Sequence, residues 1–188
     1  MTDKDYRIIK AAVDMFAKEG LAIPASSIAD KADVSNGTLF NYFATKQDLY
    51  DEVFFALREE IANDLIANLD LEASTHDLFF EIWRSYIRWG QKHPKEHLVI
   101  GMLRASNVLS PDVHQATDEF FVAVYDTMQR AIDEKLLINM PIDYLVCVAI
   151  ANLHASVNYA RDKKLKGNEL EKFAITSFAL YWKAITRT

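Results

Sequence analysis

The stretch Ile28-Ala29-Asp30-Lys31-Ala32-Asp33-Val34-Ser35-Asn36-Gly37-Thr38-Leu39 decides how this 188-residue chain is read. It has the form of two short helices joined by a tight turn. Ile28, Ala29 and Val34 supply the apolar and small contacts that let two helices cross closely. Asp33 takes the turn position, where a left-handed backbone is needed and Asp is tolerated better than most residues. Ser35 caps the second helix, which leaves Asn36, Gly37 and Thr38 in its first turn, where they can face a groove.

On either side the periodicity is helical. Ile8, Ile9, Ala12, Val13 and Phe16 share one face of a helix over 4–19 that stops at Gly20. Thr45, with Asp48 three residues on, starts a long helix running to about Leu69, and Ser74 with Asp77 opens the next, to about His93. Further helices are expected over 95–107, 111–136, 141–163 and 169–186, the last capped by Asn168 with Glu171 at its third position. The four prolines, Pro24, Pro94, Pro111 and Pro141, each precede a periodic segment and are expected in first turns. With the helices at 24–31 and 36–42 this predicts an all-α chain of about nine helices, without alternating strand patterns.

Composition narrows the function. Five scattered glycines leave no phosphate-cradling loop, and no Gly-x-Ser-x-Gly elbow exists. The longest apolar run, Leu145 to Ala151, falls far short of the roughly 18 residues of a membrane span. A single cysteine, Cys147, excludes internal disulfides and suits a reducing compartment, so a cytoplasmic location is expected; among its apolar neighbours it is expected to be buried. The net charge is −6. Residues 1–48 carry six basic and seven acidic side chains, so the acidity lies mainly in the rest of the chain.

The segment 7–53 resembles the TetR family of bacterial transcriptional regulators. The residues that carry the resemblance are Ile8-Ile9-Lys10-Ala11-Ala12, Phe16, Gly20, Ile28-Ala29, Val34-Ser35-Asn36-Gly37-Thr38-Leu39-Phe40-Asn41-Tyr42-Phe43 and Lys46-Gln47-Asp48-Leu49. The resemblance implies a three-helix DNA-binding head over 1–48, a ligand-binding and dimerisation body over 49–188, and repression relieved by a small molecule. It implies that Asn36, Gly37 and Thr38 meet base edges and nearby phosphates of a double-stranded operator, and that Tyr42 and Lys46 bond phosphates. The chain departs from the family pattern at Ile23, where Thr is usual, at Asp33, usually Gly, and at Asn36, frequently Lys, so some phosphate contacts are missing. Lys4 and Arg7 are candidates to compensate.

In the body, aromatic and polar residues inside apolar helices mark a candidate small-molecule site: Trp83, Tyr86, Phe121, Tyr125, His154 and Asn158. The expected effector is apolar or amphipathic. A homodimer is expected through the last two helices, along Leu170, Ala174, Ser177, Phe178, Tyr181 and Ile185 on one and Ile142, Leu145, Ala149, Leu153 and Ser156 on the other. No cofactor, metal or catalytic group is expected. Two rival readings remain: a small metal-dependent enzyme using His93, Glu96 and His97, which spell His-x-x-Glu-His, and a ligand-binding protein with a vestigial DNA head.

Overall fold

The computed structural model describes residues 3–66 and 69–187, and among these it is all-helical apart from one isolated antiparallel bridge, Leu137 to Thr186. Ten α-helices follow in order: α1 (Asp3–Glu19), α2 (Ala25–Lys31), α3 (Asn36–Tyr42), α4 (Lys46–Ile66), α5 (Thr75–Lys92), α6 (Pro94–Ala105), α7 (Pro111–Asp118), α8 (Val122–Asp133), α9 (Ile142–Asp162) and α10 (Gly167–Ile185). They form two compact units, one of Met1–Glu60 with His93–Phe120 and the other of Ile61–Lys92 with Phe121–Thr188. The head expected over 1–48 thus lies in a packing unit that also includes α6 and α7.

In the first unit α1 packs on α2 and α6, and α2 on α3. Ile8, Ala12, Phe16, Ile28, Leu39, Leu49, Val53 and Phe54 are all but inaccessible, and the Phe16 and Tyr50 rings sit 5.5 Å apart. The start of α4 is a reciprocal cap: Thr45 N–H donates to Asp48 Oδ2 at 2.8 Å, and Asp48 N–H donates to Thr45 Oγ1 at 3.1 Å. The buried guanidinium of Arg58 on α4 reaches the end of α7, donating to Asp118 Oδ1 at 3.0 Å and to the Thr117 carbonyl at 3.4 Å. A buried charge held this way is costly to leave alone, so the contact fixes α7 against α4.

In the second unit α5 packs on α8, α9 and α10. The α5–α9 crossing is close enough to require Gly90, because a Cβ there would stand 2.6 Å from Val157 Cγ1. Trp83 donates from Nε1 to Ser177 Oγ at 3.0 Å and stacks on Tyr181, with ring centroids 4.9 Å apart. Burial pushes the Tyr181 hydroxyl up to about 12.

The structure departs from the sequence expectations at several points. The helix expected over 111–136 is broken by a 3-10 turn, Glu119–Phe121, where the chain leaves the first unit for the second. The Phe120 ring packs edge-on against Phe55, and Phe121 adopts a non-helical backbone as the cap of α8. Pro94 and Pro111 occupy first turns, whereas Pro24 and Pro141 are extended cap residues. The cap of α10 is Lys166, and Glu171 is instead bridged by Arg84 and Arg88. Burial raises the Glu171 carboxyl, but Arg88 and Arg84 outweigh it and hold it below the usual range. Cys147 is exposed, since it lies on the outer side of α9.

The dimer stripes are corrected too. Ala174, Phe178, Tyr181 and Ile185, with Leu145, Leu153 and Ser156, are buried within the chain's own second unit, because α5, α9 and α10 need them to pack on one another. The large apolar side chains left exposed on α9 and α10 are Tyr144, Tyr159, Ile175 and Leu180.

Gly90→Ala is expected to lower stability. The helix-propensity gain of about 1 kcal/mol is smaller than the overpacking cost of about 1–3 kcal/mol. Combining it with Val157→Ala, which removes the colliding methyls, should recover the overpacking loss in thermal melts although Val157→Ala alone also destabilises.

Candidate nucleic-acid interface

The geometry of α2 and α3 follows from how α2 ends. Val34 N–H donates to the Ala29 carbonyl at 3.0 Å and Asp33 N–H to the Asp30 carbonyl at 3.2 Å, while Asp33 stands at φ 56°. This is a Schellman ending with Asp in the left-handed position usually taken by Gly. It turns the chain within two residues so that Ser35, extended at φ −73° and ψ 156°, can cap α3. Ser35 Oγ accepts from Thr38 N–H at 3.0 Å and lies 2.9 Å from Thr38 Oγ1.

At about 100° per residue, Gly37 and Asn41 lie on the side of α3 opposite Leu39, with Asn36 and Phe40 on one flank and Thr38 and Tyr42 on the other. Leu39 is 1% exposed and anchors the helix, whereas Asn36, Gly37, Phe40, Asn41 and Tyr42 are exposed. The backbone of Gly37 is ordinary helix, and a Cβ there would meet only Ser35 Oγ, at 3.8 Å. Nothing inside the protein requires glycine at that position, although it weakens a helix by about 1 kcal/mol relative to Ala.

Of the expected contact residues, Asn36, Gly37, Thr38 and Tyr42 share this one short helix. The hydroxyl of Thr38 is already engaged with Ser35, and Thr38 is half-buried. Lys46 stands at the start of α4 and has structural work: its Nζ donates to the Ile23 carbonyl at 2.5 Å and lies 5.5 Å from the Tyr50 ring centroid. Tyr50 donates from its hydroxyl to the Leu21 carbonyl at 2.6 Å, so α4 clamps the segment between α1 and α2 at two points. Sequence reasoning missed this clamp, which joins residues 23 and 29 positions apart. It also gave no role to Phe40, whose exposure follows from projecting α3 about Leu39.

The residues expected to line a ligand site are on α5, the 3-10 turn, α8 and α9. Trp83, Tyr86 and Phe121 are buried, Tyr125 and His154 are half-buried, and Tyr86 Oη lies 3.1 Å from His154 Nε2. Asn158 faces solvent, with its Oδ1 accepting from Arg161 at 2.8 Å. Two hollows in the second unit are lined by other residues: one of about 480 Å³ by Leu71, Asp126, Thr127 and Arg130 among others, and one of about 390 Å³ by Gln91, Arg161, Lys164, Lys166 and neighbours.

His93, Glu96 and His97 do not form a metal centre. His93 caps α6 and its Nδ1 is 3.2 Å from Glu60 Oε1, His97 is 1% exposed, and among the described residues no group of three His, Cys, Asp or Glu is placed to hold a metal ion.

Two substitutions probe the local geometry by thermal or denaturant unfolding. Asp33→Gly should stabilise the chain by about 0.5–1 kcal/mol, since Gly carries no penalty at a positive φ. Gly37→Ala should leave stability unchanged or raise it by up to about 1 kcal/mol. A loss in either case would mean that the turn or the open face of α3 is wrongly described.

Comparison with known proteins agrees with this geometry. Residues 8–53 match the model of the bacterial regulatory proteins of the tetR family. The HTH-type transcriptional regulator LuxR of Vibrio harveyi is 33% identical over 85 residues, which are 45% of this chain and 42% of that protein. The match therefore spans less than half of the curated relative's length. A solved chain from Shewanella sp. PV-4, described as a tetR family transcription regulator, superposes with a TM-score of 0.91 at 20% identity over 100% of both chains. A TetR family transcription regulator from Marinobacter aquaeolei VT8 gives 0.86 at 16% identity, covering 98% of this chain and 96% of that one. At such identities the superpositions establish the fold, and the matched segment establishes the head. Among the described residues no helix is long and apolar enough to cross a membrane. Residues 8–53 thus match the tetR family model, and the described residues share the all-helical fold of solved TetR family regulators.

Proposed function

We propose that the protein is a ligand-responsive, DNA-binding repressor, acting as a cytoplasmic homodimer on a double-stranded operator. The observation that carries this reading is the exposed side of α3: Gly37 lies opposite the buried Leu39, without any internal need for glycine, inside the segment that matches the tetR family. A helix that enters the major groove needs such a face, because only a small residue lets the backbone come close to the bases. Asn36 and Thr38 then contribute to sequence choice, while Tyr42 and Lys46 bond phosphates. The ammonium of Lys46 has three donors, so one can keep the Ile23 carbonyl while another meets a phosphate.

The effector is a small apolar or amphipathic molecule held among Trp83, Tyr86, Phe121, Tyr125 and His154, on helices that pack on one another in the second unit. The Tyr86–His154 pair is the polar anchor for such a guest among these mainly aromatic side chains. Asn158, which faces solvent, is better placed at the rim. Regulation requires tighter binding to the conformation that does not bind DNA, and a tenfold loss of operator affinity needs about 1.4 kcal/mol of coupling. The path is α4, whose first turn carries Lys46 and whose later residues belong to the second unit.

Selection from a random pool with the full chain should recover a two-fold-symmetric duplex. Gly37→Ala should weaken binding to it at least tenfold without loss of stability, whereas Lys46→Ala should weaken selected and random DNA alike and lower the salt slope by about 0.9. Failure to enrich any sequence, or indifference to Gly37→Ala, would overturn the reading.

Dimerisation is expected through the apolar residues left exposed on α9 and α10. Leu180→Glu with Ile175→Glu should yield folded monomers in sedimentation at micromolar concentration, while Phe178→Glu should unfold the chain. A dimer that survives the first pair would place the interface elsewhere.

A further inference from the structure

Phe40 is the one phenylalanine of eleven that the fold leaves exposed, at 46%. The others are buried or half-buried, including Phe43 on the same helix-turn-helix, at 5%. On α3 Phe40 stands one turn from Asn36, on the flank beside Gly37 and about 100° round the helix from the buried Leu39. Its ring can neither donate nor accept a hydrogen bond, so it can serve neither a phosphate nor the polar edge of a base. The major groove contains one apolar group that such a ring can cover, the 5-methyl of thymine. The bare backbone at Gly37 lets the helix approach closely enough for a side chain three residues on to reach the floor of the groove.

We propose that Phe40 is a specificity-determining residue that reads a thymine 5-methyl in each half-site by apolar contact. The inference rests on the DNA-binding reading and adds to it a chemical preference that hydrogen bonds to base edges do not supply. Covering a methyl removes about one CH₂-equivalent of apolar surface from water, which corresponds to a roughly three- to fivefold preference for thymine over uracil at that position.

The experiment uses the full chain and a duplex selected from a random pool, with each thymidine replaced singly by deoxyuridine, which deletes the methyl and leaves the pairing edge intact. Wild-type protein should lose roughly three- to fivefold in affinity at one position per half-site and little elsewhere. In Phe40→Ala that loss should vanish, and in Phe40→Leu, which keeps an apolar side chain, part of it should remain. Circular dichroism of both variants should match wild type because the ring is exposed, and the wild-type scan stands even if one variant does not fold. A scan in which no uridine weakens binding overturns the inference while leaving DNA binding intact. So does a uridine penalty that persists unchanged in Phe40→Ala. If no sequence is enriched from the pool, the DNA-binding reading fails and this inference falls with it.

Discussion

Seven-residue helices such as α2 and α3 have no stability of their own, because nucleation costs more than so few hydrogen bonds return. What holds them is the left-handed Asp33 turn together with the burial of Ile28, Ala29 and Leu39. The turn satisfies the last carbonyls of α2 and delivers Ser35 to the start of α3, so one backbone conformation ends one helix, starts the next and sets the angle between them. Every side chain on the outward face of α3 inherits its direction from that turn. The clamp from α4, in which Lys46 and Tyr50 reach the Ile23 and Leu21 carbonyls, then ties the approach to α2 to the same core.

The charge balance constrains how such a head can work. With six basic and seven acidic residues over 1–48, long-range attraction to a polyanion is weak, and affinity has to come from short-range fit. This gives weight to the features that act only at contact: an open Gly37, an exposed Phe40 and the hydroxyl of Tyr42. Two of the three departures from the family pattern, at Asp33 and Ile23, are absorbed by the local structure. Asp33 preserves the turn geometry, and Ile23 contributes a buried side chain and a carbonyl that anchors Lys46.

Much of this was readable from residue order, and the exceptions share a cause. Caps and turns are local, so Ser35, Thr45 with Asp48, and the positive φ of Asp33 followed from neighbours within four positions. Long-range choices did not. An apolar stripe on α10 looks the same whether it faces α5 or a second chain, and only the packing shows that Phe178 and Tyr181 are spent within the chain. The break at Glu119–Phe121 has no proline or glycine to announce it and arises where the chain passes from one unit to the other. The partners of Lys46 and Trp83, 23 and 94 positions away, were equally invisible. The contact residues on α3 were named by resemblance, and Asn36, Gly37, Thr38 and Tyr42 share that one short helix.

If the exposed face of α3 is the surface that meets DNA, amide chemical-shift mapping of the isotopically labelled full chain titrated with a selected duplex should give its largest shifts at Asn36, Gly37, Phe40 and Asn41, with smaller ones at Lys46. Shifts confined to the basic segment Arg161, Lys163, Lys164 and Lys166, with α3 unmoved, would show that DNA is met elsewhere.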